Sequence, residues 1–247
     1  WCVKDATIKN LRTQGKITSK GNGLSGMVRA ALGTTTISGC ISDVDITGGD
    51  SGLASSLAAG MVQSVADGAS VTITDCLVKG SITDNADESE RAMAGFVLSN
   101  SGTYTLTRCL YVGKNNAPNN GYSKTFGETG GISATFTDCY YLNTCGKVQG
   151  EQVTAERLKS GEMAKLLQGD RTENVWGQTL GTDNEPRLIA FDNSAKKVYQ
   201  VAFTYNNEVR ATRYANSGKT VSLPTIKDFM GTGYNPHHYY TIAFAGG

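Results

Sequence analysis

The most reactive side chains in this sequence are four cysteines, Cys40, Cys76, Cys109 and Cys139, which recur at one equivalent position of a repeated segment. Thiols so placed could bind a metal, cross-link or pack. Zinc sites draw ligands from short pairs such as C-x-x-C or H-x-x-x-H, and neither pair occurs here. Leu11 stands at the cysteine position in the first repeat. A position that exchanges Cys for Leu reads as a small buried hydrophobe. The expectation is a reduced structural ladder. Bridges between neighbouring repeats are the alternative, because adjacent Cα atoms fall near the disulfide range. Cys2 and Cys145 lie outside the ladder, and both a Cys139–Cys145 bridge and free thiols are open for them. No cofactor and no metal site are predicted.

Other chemistry is sparser. Gly49-Asp50-Ser51-Gly52 reproduces the nucleophile tetrapeptide of trypsin-like proteases. A serine nucleophile also needs a base and a group to orient it, and the histidines, His237 and His238, fall in a different module. The tetrapeptide therefore reads as a turn. Asp84, Asp87, Glu88 and Glu90 form an acidic insertion without the Asp-x-Asp-x-Asp-Gly order of a calcium loop, and read as a solvated loop. Glycoside hydrolysis needs two carboxylates about 5–10 Å apart. Asp43 and Asp45 can share a strand face, and Asp75 and Asp138 take equivalent positions with Arg108 between them. The surrounding Thr and Ser are poor acid–base material, so no catalytic residue is predicted. A polysaccharide lyase or hydrolase fragment remains the alternative. Tyr234, His237, His238 and Tyr239, next to Tyr240, are candidate ligand-binding residues, since aromatic faces with polar tips suit a sugar or a protein. Filling a small core is the other reading of that cluster. Tyr111, Tyr122, Tyr140 and Tyr141 carry the same two readings along one side of the repeats.

The elements that must position these groups are repeats. Thr7-Ile8-Lys9-Asn10-Leu11, Thr36-Ile37-Ser38-Gly39-Cys40, Thr72-Ile73-Thr74-Asp75-Cys76, Thr105-Leu106-Thr107-Arg108-Cys109 and Thr135-Phe136-Thr137-Asp138-Cys139 form one series. A second series, Gly26-Met27-Val28, Gly60-Met61-Val62, Gly95-Phe96-Val97 and Gly131-Ile132-Ser133, alternates with it. Thr, Ile, Val and aromatics favour strands, and Gly-rich breaks separate them. A unit this short cannot bury its apolar side alone, whereas stacked units bury it continuously. The prediction is a mainly β fold, a parallel β-helix of about five rungs over residues 1–150, roughly 24 Å long. Within a rung, Ile73 and Cys76 would face opposite sides of an unbroken strand. A corner is therefore predicted at Thr74-Asp75 and at the equivalent Asn10, Ser38-Gly39, Arg108 and Asp138. Arg108 is the poor fit to turn chemistry.

After residue 150 the pattern changes. Residues 154–169 read as one helix, with Thr154 as N-cap and Gly169 as C-cap. Leu158, Met163, Leu166 and Leu167 make its apolar stripe, and Gly161 marks a kink or a close approach. Residues 151–192 are assigned as a capping helix and connector for the end of the β-helix, and 193–247 as a small β domain. Its strands are expected near 200–205, 209–214, 220–223 and 239–244, with a tight turn at Asn206-Asn207.

The formal charge of +1 over 247 residues gives no electrostatic footprint for nucleic acid. No apolar run approaches the roughly 18 residues of a membrane span, so neither nucleic-acid binding nor membrane insertion is predicted.

Three segments resemble known families. Ala59-Gly60-Met61-Val62, then Val71-Thr72-Ile73-Thr74-Asp75-Cys76 and Gly80-Ser81-Ile82-Thr83, resembles the GLUG-type repeat of bacterial surface proteins. Ser160-Gly161-Glu162-Met163-Ala164-Lys165-Leu166-Leu167, with Trp176-Gly177-Gln178-Thr179-Leu180-Gly181-Thr182-Asp183 and Pro186, resembles the stretch that follows such repeats in gut Bacteroidetes and Firmicutes proteins. Tyr214-Ala215-Asn216-Ser217-Gly218-Lys219-Thr220-Val221-Ser222-Leu223-Pro224 is similar to the β-grasp-like Listeria–Bacteroides repeat, whose usual closing Gly-Trp is absent here. These resemblances imply an extracellular, anchored, modular cell-surface protein of adhesion or spacer type. Its implied partners are a host protein or a glycan, and neighbouring domains of a longer chain. No catalytic residue is carried over.

Overall fold

The computed structural model describes residues 2–20, 23–49, 56–87, 91–99, 101–118, 121–128 and 133–238. The chain is mainly β and its N-terminal part is a parallel β-solenoid of about four turns. One sheet stacks Thr7–Lys9, Thr34–Ser38, Ser70–Thr74, Thr103–Thr107 and Ser133–Thr137 in parallel. Its register sets Thr7, Thr36, Thr72, Thr105 and Thr135 in one column, the alignment expected from the repeats. A second sheet begins at Arg12–Thr18 on Ile41–Gly48 and continues through Leu77–Val78, Leu110–Tyr111 and Tyr140–Tyr141 to Glu151–Gln152. A third holds Leu24–Ser25, Ser56–Ala59 and Arg91–Ala94.

Every predicted corner is present. Asn10, Gly39, Asp75, Arg108 and Asp138 have φ of 52°, 59°, 53°, 52° and 51°, all left-handed. Side chains lose roughly 1–2 kcal/mol in that region, with Asn and Asp the most tolerant. At the outlier, Arg108 Nε lies 3.1 Å from Asp75 Oδ1 of the neighbouring corner. The ladder also runs through the bend: the amides of Asn10, Gly39, Asp75 and Arg108 donate to the carbonyls of Ser38, Thr74, Thr107 and Thr137.

The second repeat series has a steric cause. A Cβ at Gly26, Gly60 or Gly95 would overlap the carbonyl oxygen of Gly60, Gly95 or Thr125 in the next coil. The fourth member of this series is Thr125-Phe126-Gly127, because Val97 bridges Gly127 and the Phe96 amide donates to Phe126. This corrects the assignment to Gly131-Ile132-Ser133, of which Gly131 and Ile132 lie outside the described residues.

The solenoid core is aliphatic at its start and aromatic at its end. Ile37, Ile46, Met61 and Ile73 are fully buried, and Phe126 then contacts Phe96, Phe136 and Tyr141 at centroid distances of 5.5, 5.8 and 6.3 Å.

The chain divides into two compact units, residues 1–155 with 190–192, and residues 156–189 with 193–247. Three parts were expected, split at 150 and 192. The helical segment instead joins the C-terminal hairpin in one unit, because its apolar face packs on Trp176–Gly177 and Val198–Tyr205. The single helix expected over 154–169 is two, α1 (Ala155–Ser160) and α2 (Glu162–Gln168). Gly161 breaks them at φ +91°, and a Cβ there would lie 2.7 Å from Leu180. Leu166, assigned to the apolar stripe, is instead 42% exposed. The hairpin pairs Val198–Tyr205 with Glu208–Asn216 across Asn206 and Asn207, both at positive φ as a tight turn requires. No strand forms over 220–223. Leu223 is exposed, and Thr225 instead caps α3 (Ile226–Met230) in a reciprocal box with Asp228. The strand expected over 239–244 lies outside the described residues.

Candidate functional site

The surface with the most regular chemistry is the outer face of the five-stranded sheet. Alternation along each strand sends Ile37, Ile73 and Leu106 inward, all fully buried, and their neighbours outward. In-register stacking turns those neighbours into columns. The first is Thr34, Ser70, Thr103 and Ser133; the second is the five-threonine column; the third is Lys9, Ser38, Thr74, Thr107 and Thr137. Neighbouring hydroxyls along a column are therefore about 4.8 Å apart. Only Lys9 carries charge on this face. Such an array offers many neutral donors and acceptors in a flat lattice and no general acid or base.

Behind each corner sits the thiol ladder. Cys40, Cys76, Cys109 and Cys139 are buried and free, as are Cys145 and the exposed Cys2 in being unbridged. Each ladder sulfur lies 3.2–3.5 Å from the carbonyl two residues before it, at Ser38, Thr74, Thr107 and Thr137. The S–H thus donates to a carbonyl at the bend, a role the Leu11 comparison did not reveal. The Cys40 amide also donates to Cys76 Sγ at 3.4 Å, and the Leu11 amide to Cys40 Sγ at 3.5 Å. Hydrogen bonding from Cys76 pulls the Cys40 thiol down to about 7, while burial pushes Cys76 and Cys109 well up and Cys145 to about 12. Among the described residues no group of three His, Cys, Asp or Glu side chains could hold a metal.

The carboxylates are engaged structurally. Asp43 and Asp45 do share the outer side of one strand, yet Asp43 pairs with Arg12 at 2.5 Å and Asp45 accepts from the Ser81 amide and hydroxyl at 3.1 and 2.7 Å. The Ser81 hydrogen bonds hold the Asp45 carboxyl below its usual range. Asp75 is buried against Arg108, whereas Asp138 is exposed. Of the acidic insertion, Asp84 is fully buried and accepts from the Ala86 amide, and Glu88 and Glu90 lie outside the described residues. So do Asp50, Ser51 and Gly52 of the protease-like tetrapeptide.

The aromatic candidates separate. Tyr234 is half-buried beyond α3, and His237 and His238 are exposed on a turn whose amides donate to Asn235. Tyr239 lies outside the described residues. Tyr111, Tyr140 and Tyr141 are all buried, Tyr111 and Tyr141 in register within the solenoid core, and of that set Tyr122 alone is exposed. Their size fits because the coil passing them carries glycine: a Cβ on Gly95 would press on the Tyr111 ring.

No protein-family model matches the chain, no curated protein matches its sequence and no solved structure matches its fold.

Sequence reasoning missed three buried amides that pin the second unit. Gln168 Oε1 accepts from Val175 and Trp176, Gln178 Nε2 donates to Leu158 and Asp183, and Asn216 links Leu180, Gln178 and Lys197. A single polar residue in a loop-rich segment gives no periodic signal. The clue was only that Gln168 follows the apolar pair Leu166-Leu167 on the helix.

Proposed function

We propose that this protein is a non-catalytic display module of a bacterial cell surface, whose flat hydroxyl face binds a glycan or a host protein. The observation that carries the reading is the three-column Ser/Thr array on the outer sheet face. A neutral lattice of short hydroxyl side chains costs little side-chain entropy to immobilise. It suits a partner that itself repeats polar groups, and many weak contacts in series then add through avidity. The family resemblances of the repeat and of the C-terminal segment support the extracellular setting. A glycan array and a panel of extracellular-matrix proteins test the proposal with the full chain. Binding that is lost in Thr72→Lys/Thr105→Lys, with the fold unchanged by circular dichroism, supports it. Equal binding by that variant moves the site elsewhere, and no binding on either panel leaves a passive spacer.

A further inference from the structure

The solenoid uses its hydroxyls in two ways. Away from the five-stranded sheet they serve the fold: Ser42, Ser99 and Thr125 donate to the carbonyls of Gly60, Val65 and Lys147 at 2.6, 3.0 and 3.0 Å, and Ser81 donates to Asp45 at 2.7 Å. On the outer face of that sheet they do not. Among the described residues, no hydroxyl of its three columns has a hydrogen-bond partner within the chain. The middle column, Thr7, Thr36, Thr72, Thr105 and Thr135, is exposed at every member except the half-buried Thr36. Threonine is stiff at χ1 because its Cβ is branched, so these hydroxyls hold their spacing without a partner.

That spacing is a rectangular net. Hydroxyls repeat about 4.8 Å apart from coil to coil and about 6.6 Å apart along a strand, where every second residue faces outward. Water has a net of nearly the same size. Hydrogen-bonded oxygens about 2.75 Å apart, joined tetrahedrally, repeat every 4.5 Å or so in one direction and about every 7.3 Å at right angles to it, on the prism face of hexagonal ice. The two nets agree within about a tenth in each direction. Across the five strands and three columns the misfit grows to about 1.3 Å, half a hydrogen bond's length. Charge and aromatic rings, which would favour an ionic partner or a stacked sugar, are missing from the columns apart from Lys9 at one corner. A single glycan chain repeats in one direction alone, whereas this net repeats in two.

We propose that the hydroxyl face adsorbs to ice, its columns holding water at lattice positions and joining the sheet to the prism face of the crystal. This activity goes beyond glycan or protein binding at the same face and does not depend on it.

The test uses the full chain, labelled with a dye on the exposed Cys2 thiol. Adsorption is read by growing a single ice crystal slowly in the labelled chain and by following the coarsening of fine-grained ice. The proposal expects dye to enter the crystal on its prism planes and coarsening to slow as concentration rises. Thr72→Tyr and Thr105→Tyr each raise a ring from an exposed position inside the net. Each should raise the concentration needed by about tenfold or more, since the contacts act together through one rigid surface. Both should keep the circular-dichroism melt of the wild type. Val148→Tyr adds the same ring at a residue 60% exposed outside the sheet and should change nothing. Three results overturn the inference: coarsening as fast as in an inert protein at equal concentration, both threonine variants as active as the wild type, or Val148→Tyr as weak as they are. A glycan or matrix-protein hit together with the first result removes ice and leaves the display reading. Ice adsorption with no hit on either panel removes that partner and leaves ice.

Discussion

Residues 34–111 and 198–230 are both rich in strand, yet they are held together by opposite means. In the solenoid each strand pairs in parallel with residues about thirty positions away, and the same side-chain type recurs at the same height in every coil. In the C-terminal unit the hairpin pairs with its own chain neighbour across two asparagines, and single buried amides fix the rest. Repetition makes one position's environment depend on its own copies. Local pairing followed by a loop makes it depend on residues of unrelated type. The first arrangement punishes any change in side-chain volume within the stack, and the second concentrates its sensitivity at a few polar pins.

The largest contrast is expected at glycine. A Cβ at Gly60 would overlap the Gly95 carbonyl and press on Val78, so Gly60→Ala should cost about 3 kcal/mol or more of solenoid stability in urea unfolding. Gly218→Ala meets open space at φ +72° and should cost about 1 kcal/mol. Equal losses at the two sites would erase the distinction.

Next come the apolar positions. Ile73 is fully buried between Ile37 and Leu106, and Ile73→Ala should cost about 2–5 kcal/mol. Val209 in the hairpin is 58% exposed, and Val209→Ala should stay within about 0.5 kcal/mol.

Acid sharpens the comparison in a different way. The Asp45 carboxyl is held below its usual range by Ser81, so its folded form binds a proton less readily than its unfolded form. Its contribution is fully present above the unfolded value of about 3.9 and is lost as pH falls through the lower folded value. Asp45→Asn should flatten the fall in solenoid stability below pH 4 while leaving the hairpin unaffected. The smallest effect belongs to the turn: Asn207→Gly relieves a positive φ of 64° and should raise the hairpin's stability by a few tenths of a kcal/mol.

The two regions also differ in how much of them could be read from residues alone. The Thr register and all five corners were legible, because Ile73 and Cys76 cannot both face inward unless the chain bends between them. The buried tyrosines were less so. Tyr111 reads equally as a surface or a core aromatic until Gly95 is seen to leave room for its ring. In the second unit the Asn206-Asn207 turn followed from local chemistry, but residues 220–223 carry strand-forming Val221 and Leu223 and still form no strand. The capping box between Thr225 and Asp228 starts a helix immediately afterwards, and local propensity yields to it. Among the site residues, the hydroxyl face was visible in the repeats.

The stacking itself is measured most directly by the separation of two spin labels on Thr7→Cys and Thr135→Cys, in a chain whose exposed Cys2 is replaced by serine. Four inter-coil steps place the two backbones about 19 Å apart. A single narrow distance distribution near that value is the predicted result. A broad distribution, or one centred beyond about 35 Å, which is more than seven such steps, would contradict the in-register solenoid on which the hydroxyl face depends.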